Sequence, residues 1–223
     1  MTAIAHIESP FETKFGIPRQ SGLVPSVHSR IVFEKEFRRA EAVRGLEGFT
    51  HIWLLWQFSE AKGWSPTVRP PMLGGNTRVG VFATRSPYRP NHIGLSCVRL
   101  VKVDMEDKDA PVLYVEGADL MNGTPIIDIK PYLPYTDAHP EAKGGFAEQA
   151  MEDSEALEVI LPHDMPQMPD DVRRTLCEVL TADPRPRYQH DPQRVYGMTF
   201  SGYEVRFSVQ DARLTVLSCL RVE

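Results

Sequence analysis

Apolar and polar residues alternate in short runs along most of the chain, and Gly and Pro cut the runs apart. Ile4 to Glu8 reads as a first strand, stopped by Ser9-Pro10. Val27, Ser29, Ile31 and Phe33 alternate with His28, Arg30 and Val32, a period of two that predicts a half-buried strand. Lys35 to Leu46 reads as an amphipathic helix: Phe37, Ala40, Val43 and Leu46 share one side, and Gly48 lies just past the end. Thr50 to Phe58 is nearly all apolar and aromatic, which predicts a strand buried on both faces. Shorter strands are expected at Arg78–Ala83, Val112–Ala118 and Pro125–Ile129, with a longer one at Ile93–Val103.

Many short strands, one crossing helix and frequent turns favour a mainly β fold, a single-sheet β-barrel or a strongly bent sheet. There is no βαβ alternation and no GxGxxG, so a Rossmann fold is not expected. Past Tyr135 the pattern changes. Gly144-Gly145, then Glu148, Glu152, Asp153, Glu155 and Glu158, mark an acidic connector. Pro169-Asp170-Asp171 opens a helix with Val172, Leu176, Val179 and Leu180 on one face, stopped by Asp183-Pro184. Strands at Val195–Phe200, Tyr203–Val209 and Leu214–Leu220 then form a meander. The expected organisation is a barrel domain over residues 1–145, a linker over 146–162 and a small α+β unit, a helix plus three strands, over 163–223. That last unit is too small to stand alone and should lean on the first.

Composition agrees: 42% hydrophobic residues suffice for a core, and 19 Pro with 15 Gly suit strands and turns better than a helical bundle. Net charge is −5, which gives no overall signature of a nucleic-acid binder. The stretch from Ala61 to Val103 departs from this. It holds no Asp or Glu, but carries Lys62, Arg69, Arg78, Arg85, Arg89, Arg99 and Lys102 on a Gly- and Pro-rich backbone. Guanidinium groups on stiff turns suit a phosphate-bearing partner, and a merely solvated basic surface is the plainer reading. Cys97, Cys177 and Cys219 show no pairing framework and read as reduced thiols. The seven His residues are scattered without an HExxH, so no metal site is expected. The longest apolar run, Ile52 to Trp56, is far too short to span a bilayer, and no leader pattern opens the chain; the expected compartment is the cytoplasm.

Three segments mix polar side chains with residues that stiffen the backbone, which is how loops hold ligands. They are Phe15-Gly16-Ile17-Pro18-Arg19-Gln20; Arg69–Gly75 continuing through Thr84–Gly94; and Asn122–Tyr135. Arg85 and Arg89 would either bind an anion or brace neighbouring carbonyls. Asp128, among Ile126, Ile127 and Ile129, is either a functional acceptor or a satisfied strand carboxylate. Trp53 and Trp56 read as core.

Taken together, IPRQ, VRGLEGFTHIWLLW, RPPMLGGN, GVFATRSPYRPNHIGLS and NGTPIIDIKPYLPY resemble the TsaA-like, or TrmO, family of tRNA N6-methyladenosine methyltransferases. The resemblance runs from Ile4 to Asp137, and the tail from Met151, with DPRPRY, resembles the family's smaller C-terminal region. It implies a single-sheet barrel of the class VIII methyltransferase type that binds S-adenosylmethionine, often as a homodimer. Such an enzyme methylates the exocyclic amine of a threonylcarbamoyl-modified adenosine beside the tRNA anticodon. Carried over, cofactor contacts fall on Pro18, Arg19, Gln20, Ser59, Glu60, Arg85, Leu95, Gly117, Ala118 and Asp119. Ser59-Glu60 stands where close bacterial relatives carry His-Gln. For such a transfer Asp128 is the first candidate acceptor for the amine's N–H groups, a backbone carbonyl near Lys130 or Pro131 is the second, and Tyr132 is placed to stack on the base; Asp128, Lys130 and Tyr132 form the expected catalytic set. Arg69, Arg78, Arg89 and Lys130 would meet tRNA phosphates, helped by Arg185 and Arg187 from the tail. The competing readings are a barrel that binds RNA or the cofactor without turnover, and an enzyme acting on a free phosphorylated metabolite.

Overall fold

The computed structural model describes residues 1–148, 156–186, 189 and 191–222. Six strands close an antiparallel barrel: β1 (Ala5–Glu8), β2 (His28–Phe33), β3 (His51–Gln57), β6 (Ile93–Asp104), β7 (Val112–Glu116) and β8 (Pro125–Pro131). Around the barrel the order is β1-β2-β7-β6-β3-β8. Closure removes every sheet edge, and so satisfies the backbone of strands too short to stand alone. Between β3 and β6 the chain makes a small hairpin of β4 (Thr67–Val68) and β5 (Val79–Gly80). The barrel expected from the pattern is therefore present.

β3 corrects one detail. Ile52, Leu54 and Trp56 point inward and are buried, while His51, Trp53, Leu55 and Gln57 are only half-buried. An antiparallel barrel has one packed face and no helical layer outside, so even this apolar strand alternates. The expected helix over Lys35–Leu46 is also corrected. It breaks into a 3₁₀ turn at Lys35–Phe37, a single turn α1 (Ala40–Val43) and another 3₁₀ turn at Leu46–Gly48. Gly45 sits at φ +87°, outside the helical region, and Arg38 is pinned by bonds to the Phe33 carbonyl and the Asp109 carboxylate. The expected strand Arg78–Ala83 shrinks to β5 followed by a 3₁₀ turn over Val81–Ala83.

After a short helix α2 (Pro134–Asp137) the chain reaches a second sheet of order β10-β11-β12-β9. Its strands are β9 (Glu158–Ile160), β10 (Tyr196–Phe200), β11 (Tyr203–Gln210) and β12 (Arg213–Arg221). β9 runs parallel to β12 and was not expected; three residues carry too little periodicity to register. Helix α3 (Asp170–Thr181) covers the sheet with Thr175, Leu176, Val179 and Leu180 buried. The core here is shared, because Phe11, Val24 and Val27 from the N-terminal part of the chain are buried within it. Phe11 bridges to Phe200 and meets its ring edge-on, with centroids 5.6 Å apart. A buried side chain of this size stabilises by roughly 1.5–3 kcal/mol. Among the described residues no helix is long and apolar enough to cross a membrane.

Candidate active site

Where β3 and β7 end and β6 begins, their tips meet the Pro18–Gln20 loop and the Thr84–Arg89 turn around a cavity of about 320 Å³. Pro18, Arg19, Gln20, Arg85, Leu95 and Asp119 line it together. Arg85 Nη1 donates to Gln20 Oε1 at 2.5 Å, and Gln20 Nε2 donates to the Arg19 carbonyl at 2.5 Å. One chain of bonds thus ties the first loop to the arginine turn 65 residues away.

Asp119 supplies the negative charge. Its Oδ1 accepts the Ser96 hydroxyl at 2.5 Å, and Ser96 Oγ accepts the Trp56 indole N–H at 3.0 Å. Burial pushes the Asp119 carboxyl above its ordinary range; the Ser96 hydrogen bond and the Arg85 charge pull the other way. Ser96 is fully buried, so this relay fixes one carboxylate oxygen, and the backbone N–H groups of Ser21 and Asp119 also bond the carboxylate and favour its ionised form.

Trp56 and Phe58 form an aromatic wall, rings 4.2 Å apart. Gly94 lies flat against that wall, and a Cβ there would run into the Trp56 indole. Trp56 was read from the sequence as core. It is buried, and it is also cavity wall. Its pairing with Gly94 across the β3–β6 ladder was the signal available, but only the register reveals it.

The remaining expected cofactor residues lie elsewhere. Ser59 and Glu60 are exposed and do not line the cavity; Glu60 pairs with Lys14 at 2.8 Å. Gly117 is a backbone position: φ is +75°, its carbonyl accepts the Gly22 N–H at 2.8 Å, and a Cβ would press on Gly22. Ala118 is buried in the barrel core.

Asp128, Lys130 and Tyr132 line up on the outside of the barrel. In the β3–β8 ladder Asp128 faces Leu55 and Lys130 faces Trp53, both outward positions; Leu55 in turn faces Leu95 on β6. Asp128 is therefore two strands, or about 10 Å, from the cavity rim. Its Oδ2 pairs with Lys130 Nζ at 2.8 Å, and its Oδ1 accepts the Ile129 N–H at 2.9 Å. Tyr132 packs on Trp53 with centroids 5.7 Å apart, and Trp53 Nε1 is fixed by Asp137 at 2.9 Å.

The expected RNA-contacting arginines divide. Arg69 and Arg78 are exposed, and Arg78 donates to Thr67 Oγ1 at 2.8 Å. Arg89 lines the cavity and braces the turn, donating to the carbonyls of Val81 at 3.1 Å and Thr84 at 2.6 Å. Arg185 is corrected: it is buried, and Asp183 chelates its guanidinium through bonds of 2.9 and 3.0 Å. A guanidinium so placed is spent inside the protein. Arg187 lies outside the described residues.

A closed antiparallel barrel whose strand ends hold arginines, one buried carboxylate and an aromatic wall defines a barrel-type ligand-binding enzyme rather than a Rossmann one. Residues 6–138 match the model of the tRNA-methyltransferase O N-terminal domain, and residues 146–222 match that of the TrmO C-terminal domain. This chain belongs to the tRNA-methyltransferase O family. It is 42% identical to the tRNA (adenine(37)-N6)-methyltransferase of Escherichia coli K12, across 96% of this chain and 95% of that one. A Pseudomonas aeruginosa relative, 40% identical over 93% of this chain and 91% of its own, carries "S-adenosylmethionine-dependent methyltransferase" in its name. The crystal structure of TrmO from Pseudomonas aeruginosa superposes with a TM-score of 0.76 at 32% identity, covering 98% of this chain and 99% of that one.

Proposed function

We propose that the chain transfers a methyl group from S-adenosylmethionine to the N6 amine of a threonylcarbamoyl-modified adenosine beside the anticodon of a tRNA. The observation that carries this is the cavity of Arg19, Arg85 and Asp119 against Trp56 and Phe58, in a chain that matches the family over both of its regions.

The residues suit the cofactor. At about 320 Å³ the cavity lies at the small end of ligand sites. Arg85 and Arg19 offer donors for a carboxylate, and the Asp119 carboxylate, with one acceptor site beyond its bonds to Ser96, Ser21 and its own backbone, offers an acceptor for an ammonium or a sugar hydroxyl. Trp56 and Phe58 offer a π face to a base or to positive charge. When bound, S-adenosylmethionine supplies a methyl group on a sulfonium centre that is already an activated leaving group.

The protein's own contribution is alignment and proton removal. The N6 amine must lose its proton as it becomes a cation. Asp128 takes that proton in our reading; lying about 10 Å from the rim of its own subunit's cavity, it meets the amine held at the cavity of the partner subunit in the homodimer. Its oxygens already hold Lys130 and the Ile129 amide, and each retains a lone pair for a further bond. Tyr132 stacks on the splayed base, and Arg69 and Arg78 meet backbone phosphates. The protein works in the cytoplasm, as a homodimer; the exposed Leu95 beside half-buried Leu55 and Trp53 on the outer face supports an intersubunit contact there.

The test is methyl transfer from labelled S-adenosylmethionine to bulk tRNA with and without the threonylcarbamoyl group. Label is expected only in modified tRNA, on N6 of the nucleoside after digestion. Cofactor binding without label in either RNA would favour a binding module.

A further inference from the structure

The loop that forms one side of the cavity is held by the barrel at its C-terminal end, through Ser21 and Gly22, and by the second sheet over Phe15 to Arg19. Phe15 stacks on Tyr196 at 6.0 Å and on Phe207 at 6.3 Å, with planes 3° and 19° apart. Gly16 lies at φ +98° against Met198, so close that a Cβ would displace that side chain. Arg19 Nη2 donates to the Asp183 carbonyl at 3.2 Å and to the Arg185 carbonyl at 2.9 Å. These carbonyls belong to a turn with its own lock. Asp183 stands at φ +51°, and its carboxylate accepts the Arg185 backbone N–H at 3.1 Å as well as the two guanidinium bonds. Asp tolerates this left-handed backbone better than most residues.

From that turn, bonds run to Arg19, from the Arg19 carbonyl to Gln20, and from Gln20 to Arg85. The segment Pro18-Arg19 is also a shared wall. On one side is the 320 Å³ cavity, and on the other a larger cleft of about 750 Å³ between the loop and α3.

We infer that the Asp183–Arg185 turn is a positioning element for the methyl-donor cavity, acting on it through Arg19. The C-terminal sheet thereby sets cofactor affinity from outside the barrel. Asp183 and Arg185 do not touch the cavity; they fix the two carbonyls that orient Arg19. This rests on the donor assignment made above.

The experiment measures S-adenosylmethionine binding to the full chain by calorimetry, beside thermal melts. Asp183→Asn keeps the left-handed turn but loses the charge that chelates Arg185; Arg185→Lys keeps the charge but loses the fork. Each is expected to weaken donor binding about fivefold while melting cooperatively. Ser26→Ala is the control. It removes the 2.6 Å bond from Ser26 Oγ to Glu178 across the same interface, away from the loop. It should lower Tm and leave donor affinity within about twofold. Arg19→Lys combined with Asp183→Asn should bind no more weakly than Arg19→Lys alone, because the two act in series. Wild-type affinity in both turn variants, additive losses in the double variant, or an equal loss in Ser26→Ala would each overturn the inference. Wild-type chain that binds no S-adenosylmethionine would instead remove the donor assignment, and with it the donor cavity that the turn is inferred to position.

Discussion

The cavity and the outer strand face lie on neighbouring parts of one barrel and are built in opposite ways. The cavity is concave, and nearly every polar group in it is already oriented: Asp119 by Ser96, Gln20 by Arg85, Arg89 by two carbonyls. The outer face around Asp128, Lys130 and Tyr132 is convex, and its charges pair mainly with one another. Preorganisation suits a small cofactor bound in the same pose each cycle. An open face suits a large partner that brings its own shape and excludes water only when it arrives. One half of the reaction is therefore assembled by folding, and the other by the partner.

Asp128→Asn is the sharpest way to break this division. It removes a proton acceptor without touching the cavity. The rate of methyl transfer should fall about a hundredfold or more, while calorimetric affinity for S-adenosylmethionine stays at the wild-type value. An unchanged rate would return Asp128 to the plainer reading, an ion-paired strand carboxylate. Gly94→Val attacks the other half. Its side chain meets the Trp56 indole at the cavity wall, and overpacking of this kind costs about 1–3 kcal/mol. Donor binding should disappear and Tm should drop, because the same ring closes the cavity and plugs the barrel end.

The contrast also explains what was legible in the sequence. The barrel could be read because period-two strands cut by Gly and Pro leave few alternatives. The cavity residues Pro18–Gln20 and Arg85 stand out because they lie on stiff, polar turns, whereas Asp119 was reached only through the family resemblance. Trp56 was read correctly as core, but its second role as cavity wall was missed, and Trp53, also read as core, is half-buried on the outer face; in an apolar strand only the register separates these cases. Arg185 was misread for a related reason. Its partner Asp183 is two residues away, and an acidic neighbour in sequence does not announce a buried chelate at φ +51°. Ser59 and Glu60 lie next to the β3 end in sequence, but the chain turns away from the cavity there.

Arg85→Ala has a smaller expected effect than the variants above. The guanidinium is exposed, and its loss also frees Gln20, so donor affinity should fall about tenfold, equivalent to about 1.4 kcal/mol. Binding of tRNA should keep its wild-type affinity and its steep dependence on salt. If tRNA affinity falls with donor affinity unchanged, Arg85 belongs to the outer, partner-built half and the boundary drawn here moves.

Asp119→Asn should have the smallest effect on stability, and of the opposite sign. Burial holds the wild-type carboxyl above its ordinary range, so the folded protein is penalised for ionising it, whereas the unfolded chain ionises it freely above about pH 4. A raised carboxyl pKa means that the unfolded state releases its proton first, and stability falls as pH rises between the two values. The amide carries no such penalty and can still accept the Ser96 hydroxyl. Asp119→Asn should therefore match wild type in Tm near pH 4 and exceed it by a few degrees at neutral pH, the gap levelling off once Asp119 is ionised in the folded state. Donor affinity should change the other way, weakening at neutral pH where the lost charge matters, so that the cavity trades stability for a charge held ready. A Tm advantage that is the same at every pH would mean that the charge of Asp119 is not what the fold pays for, and a donor affinity that follows wild type across the same range would take Asp119 out of the binding set.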